Sequence, residues 1–542
     1  MNKIMNKDRR NLLKYAGAVS ALASYPSFVA ATSSGIGNKP SADFIPDVEI
    51  RLTLNTTEVP VLKGAKTSVW KITGRRLKGP ATCVDNHANS YLGPTIRLHK
   101  GQKVRIHLIN NLSSQTILHW HGMHVPADMD GNPRYAINRG ETYVYEFEVL
   151  NRAGTYWYHA HTHNYTGSQV IKGLAGLMLV SDDEEQALKL PDGEFDIPLV
   201  LQDRTFDHDN QLVYTTHMMQ RMMGFLGDQI LVNGQPDFVL PVARSAYRLR
   251  LLNGSNSRIY KLAWDDGTPM TVIGVDGGLL EHPQQYPYIM LAPAERRELW
   301  VDFRKHKIGT ELTMRSTSYN LGMQGGMMRG RMGGGMMGGR GGGMMGGMRR
   351  GGMMGRGMMQ HSSLPSGSDY PIFKIQITKK TTNSHQLPSR LTKIPPLQLN
   401  KADNADNPRS IALSMRHMSA LLNGRSYKMN DVKPDEIIPL NSLQVIAFDN
   451  NMHGMMSMPH PMHLHGEQFQ IIKRELNPAF SESYHTVKSG IVDNGWHDTV
   501  MVMPGEKVTV LKPFNDYKGM FMYHCHNLEH EDLGMMRDFR II

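Results

Sequence analysis

The chain has 542 residues, 40% hydrophobic and 20% charged, with a formal net charge of +11, 39 methionines and only 2 cysteines. That length and apolar content exclude a disordered chain and leave room for about three domains of roughly 100–200 residues, while two cysteines exclude a disulfide framework. The basic balance points first to nucleic acid or an anionic membrane, so where the charge sits decides the class of partner.

Residues 1–31 predict a removable export signal. A basic start (Lys3, Lys7, Arg9, Arg10, Lys14) leads into the small apolar run Gly17 to Ala23, and Val29-Ala30-Ala31 supplies a cleavage site. Asp8-Arg9-Arg10-Asn11-Leu12-Leu13-Lys14 resembles the twin-arginine export motif, which implies delivery of an already folded protein to the periplasm. The apolar run is short and broken by Pro26. No other stretch approaches 18 uninterrupted apolar residues, so no membrane span is expected.

The body reads as β throughout. Arg97 to Leu108 alternates in part, with Val104, Ile106 and Leu108 on one face. In Thr142 to Leu150, Tyr143, Tyr145, Phe147 and Val149 oppose Val144, Glu146 and Glu148. Similar runs recur at Tyr247–Leu251, Val508–Leu511 and Met520–Tyr523, separated by turn signals such as Asn253-Gly254 and Pro504-Gly505. Many short strands and few helical patterns predict β-sandwiches or barrels. Boundaries near Pro191-Asp192-Gly193 and in the polar stretch Lys379 to Pro396 give units 46–188, 192–378 and 395–542.

One segment breaks the pattern. Gly322 to Gln360 consists of 18 Gly, 13 Met, 6 Arg and 2 Gln, without periodicity or core-forming residues, and predicts a flexible insert within the second unit. Its arginines carry +6 and the signal carries +4, which leaves +1 for the remainder. Nucleic acid is therefore not an expected partner.

Four segments hold most of the chemistry: His119-Trp120-His121-Gly122, His159-Ala160-His161, His460-Pro461-Met462-His463-Leu464-His465-Gly466, and His524-Cys525-His526 followed by His530 and Met535. On a strand, residues i and i+2 share a face, so each His-x-His presents two imidazoles to one side. In His524-Cys525-His526 the cysteine faces the opposite way, which would join two metal sites through a few covalent bonds. Cys525, His530, Met535 and one further histidine, His460, make up the cysteine, two-histidine and weak axial methionine set of blue copper sites. The other eight histidines suit three more imidazole-bound coppers. Zinc is disfavoured, because paired-cysteine patterns are absent and eight histidines exceed what a tetrahedral ion needs.

At these residues the sequence resembles the multicopper oxidase family, the laccases and bacterial cuprous oxidases, from about Asp47 onward. Leu92-Gly93-Pro94-Thr95 and Gly173-Leu174-Ala175-Gly176 extend the likeness. The resemblance implies an all-β chain of three cupredoxin-like Greek-key β-sandwich domains carrying four copper ions. It implies a type 1 copper on Cys525, His460, His530 and axial Met535, and a type 2 copper on His119 and His463. It also implies a type 3 pair on His121, His159, His161, His465, His524 and His526. Asp130 and Glu531 match acids that such enzymes use to relay protons to dioxygen. With all ten histidines and the cysteine present, an inactive relative is not expected.

Methionine points to the reductant. Thioethers are soft ligands that select Cu(I), although they also fill cores. Met452, Met455, Met456, Met458 and Met462 crowd the approach to His460, and Met415 and Met418 open the third unit. Among cuprous oxidases the substrate copper sits among methionines and aspartates in this neighbourhood. Here Met415, Met418, Met456 and Met458 are the candidates, with methionine and Ala420 standing where acids are expected. Met218, Met219, Met222 and Met223 stand at helical spacing and read as packing residues. The expected function is oxidation of Cu(I), with laccase-like oxidation of phenols, by a monomer that confers copper tolerance. A copper-storing protein built around the insert is the alternative, and a copper nitrite reductase ranks lower because it lacks the paired His-x-His elements. Cys83 reads as a small buried hydrophobe.

Overall fold

The computed structural model describes residues 38–214, 217–322, 362–416, 419–451 and 457–542. Residues 1–31, the insert beyond Gly322, and Met418, Met452, Met455 and Met456 lie outside the described residues. The described strands form six sheets, and three apolar clusters each draw on two of them.

Strand Val48–Val59 shows how the first pair forms. Val48, Ile50, Leu52 and Leu54 alternate inward, and the strand pairs in parallel with Lys103–Asn110, with Ile50 opposite Ile106. Their side chains meet Trp120, Tyr158 and Met178 of the facing sheet. Two parallel pairings recur in every unit. The first joins Val48–Val59 to Lys103–Asn110, Asp196–Arg204 to Ala246–Asn253, and Arg409–Arg416 to Ser442–Asp449. The second joins Thr95–His99 to Ala175–Ser181, Val239–Ala243 to Tyr370–Lys379, and Ile437–Ile438 to Met536–Ile541. Parallel neighbours require crossover connections rather than hairpins, so this repetition marks one Greek-key sandwich used three times, as the sequence led us to expect.

Two readings of the sequence need correction. Arg97–Leu108 is not one strand: Thr95–His99 and Lys103–Asn110 lie in different sheets, and the chain crosses between them at Lys100–Gln102, where Gly101 has a φ of +86°. Met218–Met223 is helical as expected, but only Met222 is buried, whereas Met218 and Met219 are 38% and 56% exposed. Cys83 is buried in the first core, and burial pushes its thiol pKa up. No helix among the described residues is long and apolar enough to cross a membrane.

The first and second sandwiches are joined by a buried ion network. Glu298 lies opposite Arg250 across paired strands and accepts from Arg250 Nη1 at 3.0 Å, Arg248 Nε at 2.9 Å and Thr155 Oγ1 of the first sandwich at 2.6 Å. Burial alone would raise the Glu298 pKa, yet Arg248 and Arg250 outweigh it and hold the carboxyl at about 2. Removing one partner from such a cluster leaves buried charge uncompensated. Glu298→Gln should therefore cost about 3–5 kcal/mol, read as a lowered denaturation midpoint.

Candidate metal centre

Cross-strand register assembles the histidines. Leu118–His121 pairs antiparallel with Gly154–Ala160, which sets His119 opposite His159. In the third sandwich, His460–Leu464 pairs with Gly519–Cys525, which sets His463 opposite His524. His121, His161, His465 and His526 follow on the same faces, and rings within each His-x-His pair lie 4.9–6.0 Å apart between centroids. The two sandwiches bring these edges together, so that His119 Nε2 lies 3.4 Å from His463 Nε2, His161 Nε2 3.3 Å from His524 Nε2, and His159 Nε2 3.3 Å from His526 Nε2. His465 Nε2 lies 3.2 Å from His524 Nε2.

Three donor groups result: His119, His463 and His465; His121, His159 and His526; His161, His465 and His524. A fourth lies on the other face of the same strand. Cys525 Sγ sits 3.5 Å from His460 Nδ1 and 3.6 Å from His530 Nδ1, with Met535 buried beside them in the third core. His530 comes from the helix Leu528–Asp532, capped by the Asn527 side chain, and Met535 is held by its N–H donating to the His530 carbonyl at 2.9 Å. All of the sequence-predicted donors within the described residues are thus brought together, except for the substrate candidates. Met415 is 1% and Met458 5% exposed, both inside the protein.

The arrangement fits copper. Two nitrogens bound to one ion at ~2.0 Å and a tetrahedral angle lie about 3.3 Å apart, and a thiolate with an imidazole about 3.6 Å apart, which are the spacings seen. Oxygen atoms fix the far side of five rings, as orienting partners do in metal sites. His119 Nδ1 donates to the Asp130 carbonyl at 2.6 Å, His463 Nδ1 to the Asp498 carbonyl at 2.7 Å, and His159 Nδ1 to the Ala160 carbonyl at 2.9 Å. His465 Nδ1 lies 2.6 Å from Asp130 Oδ2, and His524 Nδ1 donates to the Cys525 carbonyl at 3.2 Å, with Glu531 Oε2 beside it. His121, whose Nε2 is engaged by Asp498, keeps a buried Nδ1 with no hydrogen-bond partner, a costly state unless an ion takes the lone pair.

Burial pushes the pKa of His121, His159, His161, His460, His463, His465 and His526 well below the usual imidazole value. Burial likewise lowers that of His530, to about 4. Neutral rings are what metal binding requires. Burial pushes the Cys525 thiol up, so without a cation it stays protonated. Asp130 is 1% exposed, and burial raises its carboxyl pKa against the pull of His119. Glu531 accepts from Thr166 Oγ1 at 2.6 Å and faces His161 and His524.

Sequence reasoning missed Asp498 and Arg296. Asp498 is fully buried, its Oδ1 lies 3.0 Å from His121 Nε2, and it accepts from Arg296 Nη1 of the second sandwich at 2.7 Å. Neither residue belongs to a recognisable motif, and only the meeting of three sandwiches unites them.

Two multicopper oxidase family profiles match residues 68–185 and 393–542. A multicopper oxidase (mco) of Staphylococcus haemolyticus is 30% identical over 83% of this chain and 82% of its own, and a laccase of Bacillus stratosphericus is 29% identical over 85% and 91%. The crystal structure of the McoA multicopper oxidase from Aquifex aeolicus superposes with a TM-score of 0.73 at 32% identity, covering 92% of this chain and 97% of that one. Xenorhabdus nematophila has a relative named cell division protein FtsP, 29% identical over 98% of both chains.

The depressed imidazole pKa values have a thermodynamic consequence. Without copper, the unfolded chain takes up protons below about pH 6.5 that the folded chain refuses until about pH 4 for His530. The melting temperature of copper-free protein should therefore change little above pH 6.5 and fall steeply as the pH drops from there toward 4, as calorimetry at a series of pH values would show.

Proposed function

Because the chain belongs to the multicopper oxidase family, we propose that it is a cuprous oxidase with laccase-like activity toward phenols, exported to the periplasm by residues 1–31, acting as a monomer and contributing to copper tolerance. The observation that carries this reading is the convergence of three all-histidine donor groups with the His460, Cys525 and His530 group, three of these four being joined through His524-Cys525-His526. In this reading the sandwiches correspond to units 46–188, 192–378 and 395–542.

His460, Cys525, His530 and Met535 would hold the type 1 ion, and His119 and His463 the type 2 ion. His121, His159 and His526 would hold one type 3 ion and His161, His465 and His524 the other, for four in all. Copper bound there supplies one-electron oxidation of a reductant and four-electron reduction of dioxygen to water.

The chain's own residues do the rest. Cys525 faces the third core while its neighbours His524 and His526 face the histidine cluster, so a path of a few covalent bonds joins the two sites. The rings of the cluster are essentially sealed from solvent, which excludes bulk water and strengthens every local electrostatic interaction. Protons must then come from fixed groups. Asp130 Oδ1 is buried without a hydrogen-bond partner and its raised carboxyl pKa favours holding a proton there, while Glu531 faces the cluster from the opposite side through His161 and His524. Arg296 and the His121 ring hold Asp498, and Asp498 in turn aims His463.

The methionine content supports Cu(I) as the reductant, with the insert gathering the ion; of the candidate receiving ligands Met415, Met418, Met456 and Met458, Met415 and Met458 are buried and would receive it only from within the protein. The relatives named cell division protein FtsP favour a second reading, a role in cell division exercised by binding. Oxygen uptake by copper-loaded protein separates the two, because an oxidase consumes dioxygen when given Cu(I) and a binding protein does not. Deleting 322–360 should lower Cu(I) turnover and raise phenol oxidation, and unchanged Cu(I) kinetics would remove the gathering role. Cys525→Ser should abolish the blue absorption of the copper–thiolate site, and a variant that stayed blue would overturn the ligand assignment.

A further inference from the structure

Two of the substrate candidates near His460, Met415 and Met458, are buried, so a Cu(I) ion arriving from solvent does not meet them. Among the described residues, the methionines that stand exposed are Met218 and Met219, and both lie on one short helix, Met218–Met223. Helical spacing places Met218 with Met222 and Met219 with both Met222 and Met223 on neighbouring surface. Met219 and Met223 therefore share one side of the helix with the exposed Met218 beside them, while Met222 turns into the third core and Arg221 stands one turn from Met218. No acidic residue occurs in this helix, so the patch is chemically soft.

The helix is fastened to the fourth donor group. Before it, Tyr214 Oη donates to Glu529 Oε1 at 2.9 Å, and after it the Phe225 N–H donates to Glu529 Oε2 at 2.9 Å. Glu529 sits on the helix that carries His530. Between these anchors, the Met222 carbonyl accepts from His530 Nε2–H at 3.1 Å, while His530 Nδ1 faces Cys525 Sγ. The Met222 side chain packs in the third core. Met222 thus joins the helix that carries the exposed thioethers to the buried donor group through its carbonyl.

We propose that the thioethers of Met218, Met219 and Met223 form a docking site for Cu(I), and that its electron enters through the Met222 carbonyl–His530 hydrogen bond. This rests on the cuprous-oxidase reading and assigns it an entrance on the His530 side. In each step one Cu(I) loses one electron to the type 1 site and no proton moves. The resulting Cu(II) is harder and suits oxygen ligands better than thioethers, so it departs to water and clears the site. Four such steps supply the electrons for one dioxygen.

The test uses the full copper-loaded protein and Ag(I), a soft ion that copies Cu(I) without donating an electron. Met218→Leu/Met219→Leu changes only exposed positions and keeps a good helix former. Calorimetric titration should show one fewer Ag(I) bound than in the wild type, and the KM for Cu(I) should rise about tenfold, the loss expected when thioether donors leave a soft-metal site. Unchanged Ag(I) stoichiometry would overturn the docking site. Loss of the Ag(I) equivalent with unchanged Cu(I) kinetics would overturn the electron entrance. If the wild type oxidises phenols but not Cu(I), the cuprous reading fails, and the silver titration still decides whether the soft site exists.

Discussion

Every imidazole in the cluster has two ring nitrogens, and burial requires a partner for each. At five rings an oxygen takes Nδ1, from the carbonyls of Asp130, Asp498, Ala160 and Cys525 or the carboxylate of Asp130. Where both rings have an oxygen on Nδ1, as in His119–His463 and His465–His524, the two Nε2 lone pairs face each other across 3.4 and 3.2 Å. Only shared cations satisfy that geometry. The surrounding architecture can be understood as the means of holding these rings in place until cations arrive.

That task needs more than the two sandwiches that contribute the rings. The second sandwich supplies Arg296, whose guanidinium neutralises Asp498, the residue that reaches both His121 and His463. It also supplies the ion network around Glu298, which ties it to Thr155 on the strand that carries His159. A third contribution is the helix Met218–Met223, which covers His530. The second sandwich holds none of the predicted donors, yet it supports both sites.

Much of this was legible in the amino-acid order. Val48, Ile50, Leu52 and Leu54 alternate as a half-buried strand must, and a two-residue period is a local property that needs no tertiary knowledge. The same period made the His-x-His pairs readable as shared faces and set Cys525 opposite its neighbours. Arg97–Leu108 misled because alternation continues through Lys100–Gln102, where the chain changes sheets, and periodicity cannot register a change of partner. Met218–Met223 misled because helical spacing reveals which residues share a face without revealing whether that face is covered.

The sequence by itself therefore determined the kind and number of donors, the all-β architecture and the family, since these follow from residue identity and short-range geometry. Tertiary structure decided which donors meet. His121 lies 377 residues from Asp498 and His161 lies 363 from His524, and nothing local links them. Their distances depend on how the edges of two sandwiches pack, a consequence of burying whole sheets. The exposure of Met218 and Met219 was decided in the same way, by what the rest of the fold left uncovered.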